Sequence, residues 1–180
     1  MKRILFISVV LAGMLSFSFI QETLELLIPG VGIENYVTIN ATTRTEIKTK
    51  FGNNGTEVKH YTAIADLGTK VLYSTELQYK SQGISFYFHP DRDTVFAIHV
   101  RAPYKAKTVK GIVLGTSTMQ DAEDAYGKVE WSFTDTQMFL EYPGIAFYIP
   151  FNAKFPVSKE VETNALKKKI EMIGITAIEE

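Results

Sequence analysis

The chain contains no cysteine. That excludes a disulfide framework and a lipid-modified N-terminal cysteine, so packing alone must hold the fold. Only three histidines and one tryptophan occur, and a formal net charge of −1 over 180 residues leaves no basic footprint for nucleic acid. Ser117 is not set in a Gly-x-Ser-x-Gly nucleophile turn, and Gly30-Val31-Gly32 lacks the further glycine of a nucleotide-binding loop. What the sequence has in quantity is Phe and Tyr, 12 and 9 residues, which favour strands.

The first residues read as a targeting segment. Met1-Lys2-Arg3 is basic, residues 4–15 are apolar apart from Ser8 and Gly13, and Ser16-Phe17-Ser18 offers small residues at the −3 and −1 positions of a signal-peptidase site. A signal peptide is expected over residues 1–18, with the mature protein secreted or periplasmic. The alternative is anchoring by an uncleaved N-terminal helix, because the apolar run extends from Ile4 to Ile20, the short edge of a membrane span. Cleavage would remove Lys2 and Arg3 and no acid, so the mature chain would be slightly more acidic. Residues 19–180 are enough for one good core or two small ones sharing a sheet.

The remainder is written twice. Gly83-Ile84-Ser85-Phe86-Tyr87-Phe88 recurs as Gly144-Ile145-Ala146-Phe147-Tyr148-Ile149, and Val37-Thr38-Ile39-Asn40-Ala41-Thr42-Thr43 matches Ile112-Val113-Leu114-Gly115-Thr116-Ser117-Thr118. The step from Gly52 to its counterpart Gly127 equals the step from Ala97-Ile98-His99 to Met172-Ile173-Gly174, whereas the step from Gly83 to Gly144 is shorter. Two opposite length changes of equal size, both in connections, therefore separate the copies. The expected fold is α+β: two tandem helix-plus-antiparallel-sheet repeats, residues 29–103 and 104–178, forming one wide sheet with helices on one face.

Each copy opens a helix with a Thr placed three residues before an acid, Thr43–Glu46 and Thr118–Asp121, a capping-box spacing. Gly52 and Gly127 are expected to stop these helices at positive φ, and Asn40 and Gly115 to turn the chain before them. Alternation then predicts strands over residues 58–65, 71–79, 84–89 and 94–101, and over 129–133, 138–142, 145–149 and 170–176. Turns fall at Asp66-Leu67-Gly68-Thr69, Ser81-Gln82-Gly83 and Pro90-Asp91-Arg92-Asp93, and a short helix is expected within residues 158–169. Parity places Ile84, Phe86, Phe88, Phe96, Ile98 and Val100 toward the helices. Ser85, Tyr87, His89, Val95, Ala97 and His99 fall on the other, open face, as do Ala146 and Tyr148.

The signature apolar-x-apolar-Gly/Asn-x-Ser/Thr-Thr-x-x-Glu/Asp, closing on Phe51-Gly52 and Tyr126-Gly127, resembles the module of the small outer-membrane lipoprotein of the β-barrel assembly machinery. The same module occurs in tandem in the β-lactamase inhibitory protein family. Residues 112–127 carry this resemblance, and residues 37–52 carry it more weakly. It implies helices on a concave antiparallel sheet used to grip another protein. The inhibitor modules carry disulfides and the lipoprotein is anchored on a cysteine, and this chain has neither, so no specific function transfers.

Most candidate catalytic or metal groups have structural explanations. His89 and His99 are expected to face each other across the Pro90–Asp93 turn, but a third ligand for zinc has no secure position. His60 has no identifiable partner. Asp91 and Asp93 suit a turn, and Asp121, Glu123 and Asp124 suit a helix start. Ser117 suits helix capping. No cofactor and no enzymatic activity are expected. The expected function is non-enzymatic: gripping a protein partner with the open face through Tyr87, Tyr148, His89 and His99, because exposed Tyr anchors protein interfaces. The alternative is a carrier or sensor of an apolar small molecule held between sheet and helices.

Overall fold

The computed structural model of the protein describes residues 24–64, 69–152 and 157–178. The expected signal segment, residues 1–18, and residues 66–68 of the first hairpin turn lie outside the described residues. Helix α1 (Arg44–Phe51) begins at Thr43, whose hydroxyl accepts the Glu46 N–H while the Glu46 carboxylate accepts the Thr43 N–H at 2.8 Å. Helix α2 (Met119–Tyr126) repeats the device with Thr118 and Asp121, at 2.7 Å. Gly52 (φ 96°) and Gly127 (φ 100°) end the two helices, and Asn40 (φ 62°) and Gly115 (φ 73°) turn the chain ahead of them. At eight residues neither helix would stand alone in water. Each is held by the side chains it buries, Ile47 in α1 and Met119 and Ala122 in α2. Helix α3 (Lys159–Leu166) opens on Ser158, within the stretch where a short helix is expected.

Eight strands form one sheet. They are β4 (Thr56–Ile64), β5 (Thr69–Tyr79), β6 (Ile84–Phe88), β7 (Val95–Arg101), β9 (Trp131–Phe133), β10 (Gln137–Tyr142), β11 (Ile145–Pro150) and β12 (Met172–Thr176). Their spatial order is β4-β5-β6-β7-β12-β11-β10-β9, every neighbouring pair antiparallel. The pairing of β12 with β7, Ile173 opposite Val100 and Gly174 opposite His99, unites the two meanders. A second sheet, ordered β3-β2-β1-β8, comprises β1 (Glu25–Ile28), β2 (Gly32–Ile33), β3 (Val37–Thr38) and β8 (Ala106–Thr108).

The expected α+β architecture of two helix-plus-sheet repeats is therefore corrected. The described residues are 46% strand and 17% helix, in two sheets of four and eight strands, so the protein is mainly β. The small sheet also cuts across the expected division. β1 pairs in parallel with β8, Leu27 opposite Thr108, and the Gly30 N–H donates to the Gly144 carbonyl at 3.0 Å. What the two echo segments do share is local geometry. Tyr79 and Tyr142 hydroxyls donate to the carbonyls of Gly52 and Gly127, at 2.7 and 2.8 Å, pinning each helix end to the sheet.

A single core lies on one face of the large sheet, where Phe86, Phe88, Ile98, Leu140 and Phe147 meet Ile47 and Met119 from the helices and Leu27 from the small sheet. The expected facing of two β7 residues is reversed. The register shifts between Tyr87 and Phe88, so that Tyr87 pairs with Ala97 but Phe88 pairs with Val95. The extra residue is Phe96, and a bulge inverts the alternation beyond it. Val95 is consequently fully buried in the core, while Phe96 is left against the rings of Tyr87 and His89 on the open face.

Glycine is required where backbone meets backbone. At Gly144 (φ 75°) a Cβ would run into Gly30 N and Cα, whereas at Gly127 (φ 100°) it would meet nothing within 4 Å. Gly144→Ala is expected to cost about 2–4 kcal/mol, steric overlap adding to left-handed strain, against about 1–2 kcal/mol for Gly127→Ala, where only the strain acts. Urea unfolding of the two variants measures the difference, and equal losses would contradict the close approach.

Candidate functional site

The open face of the large sheet carries a row of aromatic rings lying across the strands. The ring of His60 on β4 stacks toward Tyr87 on β6 at 6.0 Å, Tyr87 contacts His99 on β7 at 4.7 Å, and His99 contacts Tyr148 on β11 at 5.7 Å. Tyr148 in turn stacks on Phe139 of β10 at 4.9 Å. A branch leaves Tyr87 through Phe96 (6.4 Å) to His89, which stacks on Phe96 at 3.9 Å. All these side chains are part-buried, because the rings lie over the sheet and over one another.

Small residues create this row. Gly174 on β12 stands between β7 and β11, and a Cβ there would lie 3.1 Å from both the His99 and Tyr148 rings. Ala97 opposite Tyr87 and Ala146 opposite Gly174 keep the neighbouring floor low. A glycine in mid-strand weakens the strand but admits close approach from above. Here what approaches is the two rings.

Of the four residues expected to bind a partner, the fold brings Tyr87, His99 and Tyr148 together. His89 stands apart from His99, contrary to the expected cross-turn pair. His99 is opposite Ser85, well down the hairpin from the turn that follows β6, so the two histidines sit at different levels. Among the described residues no group of three or more His, Asp and Glu side chains is placed to hold a metal ion. The Ser117 hydroxyl accepts the Val113 N–H at 3.0 Å, a turn-stabilising role, and Asp93 lies 3.4 Å from Arg44. Trp131 packs, part-buried, on the core beside Val129 and Phe133.

Sequence reasoning missed Glu76. It lies on β5 opposite Tyr87, only 3% exposed, with Oε2 2.9 Å from His60 Nε2. Burial pushes its carboxyl up, but hydrogen bonds with Gln78, Ser85, His60 and Tyr87 outweigh burial and hold it below the usual carboxylate range. His60 thus has the partner its sequence context does not reveal. The signal was available in the hairpin count: a turn at residues 80–83 places Glu76 across from Tyr87 on the open face.

Burial sets the charge state of the row. The Tyr87 hydroxyl is raised far above its ordinary value by burial and by the Glu76 charge. Tyr148 is pushed up to about 12, by burial first and Glu141 second. His99 is held down at about 4, chiefly because burial disfavours the imidazolium. At neutral pH the rings of Tyr87, His99 and Tyr148 are uncharged, with Glu76, Arg101 and Glu141 as the charged groups acting on them. At the end of the sheet, His89, Phe96 and the exposed Tyr73 line a groove of about 810 Å³ with Glu141, Arg92 and the exposed Ile178.

No family model, curated protein or solved structure matches this chain. No helix among the described residues is long and apolar enough to cross a membrane.

The His99 environment predicts a pH dependence. The folded protein keeps His99 neutral down to about 4, whereas the unfolded chain takes up that proton near 6.5. Stability is therefore full above pH 6.5 and falls as pH drops from 6.5 to about 4, by on the order of 2–3 kcal/mol. Glu76, whose folded pKa is depressed, adds a further loss at lower pH, within and below the carboxylate range. His99→Gln is expected to flatten the upper window and leave the lower one. Urea titrations between neutral and acidic pH read both, and an unchanged upper slope in the variant would refute the assignment.

Proposed function

We propose that the protein is an exported, non-enzymatic binding module that grips a protein partner with the open face of its eight-stranded sheet. The observation that carries this reading is the ring row from His60 to Phe139, with Tyr87 and Tyr148 flanking His99. Tyr is among the residues enriched at the energetic centres of interfaces, since its ring is rigid and apolar while its hydroxyl edge still hydrogen-bonds. The groove beyond His89 and Phe96 extends the same surface, and Tyr73 and Ile178 at its rim are 59% and 55% exposed. Export is inferred from the basic and apolar composition of residues 1–18.

Carriage of an apolar small molecule between sheet and helices has less support. Phe86, Phe88 and Phe147 occupy that space, each with no exposed area.

A photocrosslinking residue at Phe139, on the open face, tests the proposal in the native host against the same residue at Asp124, exposed on α2. A discrete protein adduct is expected from the first position only. Tyr87→Ala and Tyr148→Ala are then expected to weaken binding of the identified partner by about 30-fold or more each, the size of an interface hot spot. If both variants keep the fold and bind it undiminished, the open face is not the binding surface.

A further inference from the structure

β4 forms one outer edge of the large sheet, and among the described residues its only strand partner is β5. It is nine residues long with no Pro or Gly, so its outer row of N–H and C=O groups is intact over its length. The opposite edge strand, β9, has three residues. A long edge is a template for another strand, and proteins blunt one with charged side chains, Pro, a bulge or a covering loop. β4 pairs regularly with β5 from Thr56 to His60, where the register shifts, and within that stretch it carries an acid and a base, Glu57 and Lys59, two residues apart on the same face.

We propose that β4 pairs antiparallel with β4 of a second copy about a two-fold axis through Val58. In that register Glu57 of each chain stands opposite Lys59 of the other, so the complementary pair forms twice. Moving the axis by one residue brings Glu57 against Glu57 or Lys59 against Lys59, and both shifts are repelled. Glu57 is held 2.8 Å from Arg44 yet its side chain remains 44% exposed, leaving one edge of the carboxylate for a second cation. No carboxylate of its own chain pairs with Lys59 among the described residues. The same register sets Tyr61, 56% exposed, opposite Gly55, over which the side chains of Leu77 and Tyr79 of the same chain lie. Val58, on the same side of the strand as His60, meets its own counterpart on the open face. The aromatic rows of two copies then lie on one continuous surface.

The absence of cysteine makes the register directly measurable. Directly opposed residues in an antiparallel pair have Cα atoms roughly 4.5–5.5 Å apart, within disulfide reach. Val58→Cys in the full chain is expected to give a covalent dimer under mild oxidation, while Thr62→Cys, four residues from the axis, is not. Sedimentation of the unmodified chain is expected to show a dimer in the micromolar range. Lys59→Glu is expected to weaken association about tenfold, by converting both complementary pairs into like-charged ones, and the swapped variant Glu57→Lys/Lys59→Glu to restore it. Circular dichroism of each variant separates lost association from lost folding. A monomer throughout the micromolar range overturns the proposal. So does a dimer trapped equally well by Thr62→Cys, or one unmoved by the Lys59→Glu charge reversal.

Discussion

The pairing of β7 with β12 is the contact on which the rest of the structure depends. It joins two antiparallel meanders far apart in sequence into one eight-stranded sheet, so that the residues of one meander come to stand beside those of the other. Its register is set by the core face, where Ile98, Val100, Ile173 and Ile175 are all fully buried. A slip of β12 by one residue would turn Ile173 and Ile175 to the open face. The same register places Gly174 opposite His99 on the other face. Core packing on one side of the sheet thus aligns the ring row on the other.

Much of this was legible in the sequence, and the parts that were not share a cause. Each strand of the large sheet was expected within two residues of its observed bounds, because period-two alternation and Gly, Pro and Asp turns mark such strands locally. Both capping boxes were visible for the same reason. The small sheet was not. β2 and β3 are two residues each, too short for any periodicity, and β1 is defined by a parallel partner in the other half of the chain. Without these four strands the two capped helices dominate the pattern, which is why it reads as α+β and the fold is mainly β.

The site shows the same split between local and distant information. Parity alone placed Tyr87, His99 and Tyr148 on the open face, where they are found. Phe96 and Val95 were assigned to the wrong faces because a bulge leaves no reliable trace in the residues around it. Glu76 and Phe139 required knowing which strands are neighbours. That is information about pairing, and no single strand contains it.

The hydrogen bond from Gly30 to Gly144 and the parallel pairing of β1 with β8 also bear on how the molecule is made. A chain emerging from the ribosome presents β1 and its antiparallel neighbour β2 long before the parallel partner β8 exists. Leu27, fully buried in the finished core, shares that core with residues of both halves, so its burial is completed only when the second half has been synthesised. The small sheet and the contact at Gly30 are therefore complete only once residues from the second half are in place. Cell machinery that handles unfinished chains would meet this protein with the β8 edge of β1 still unpaired.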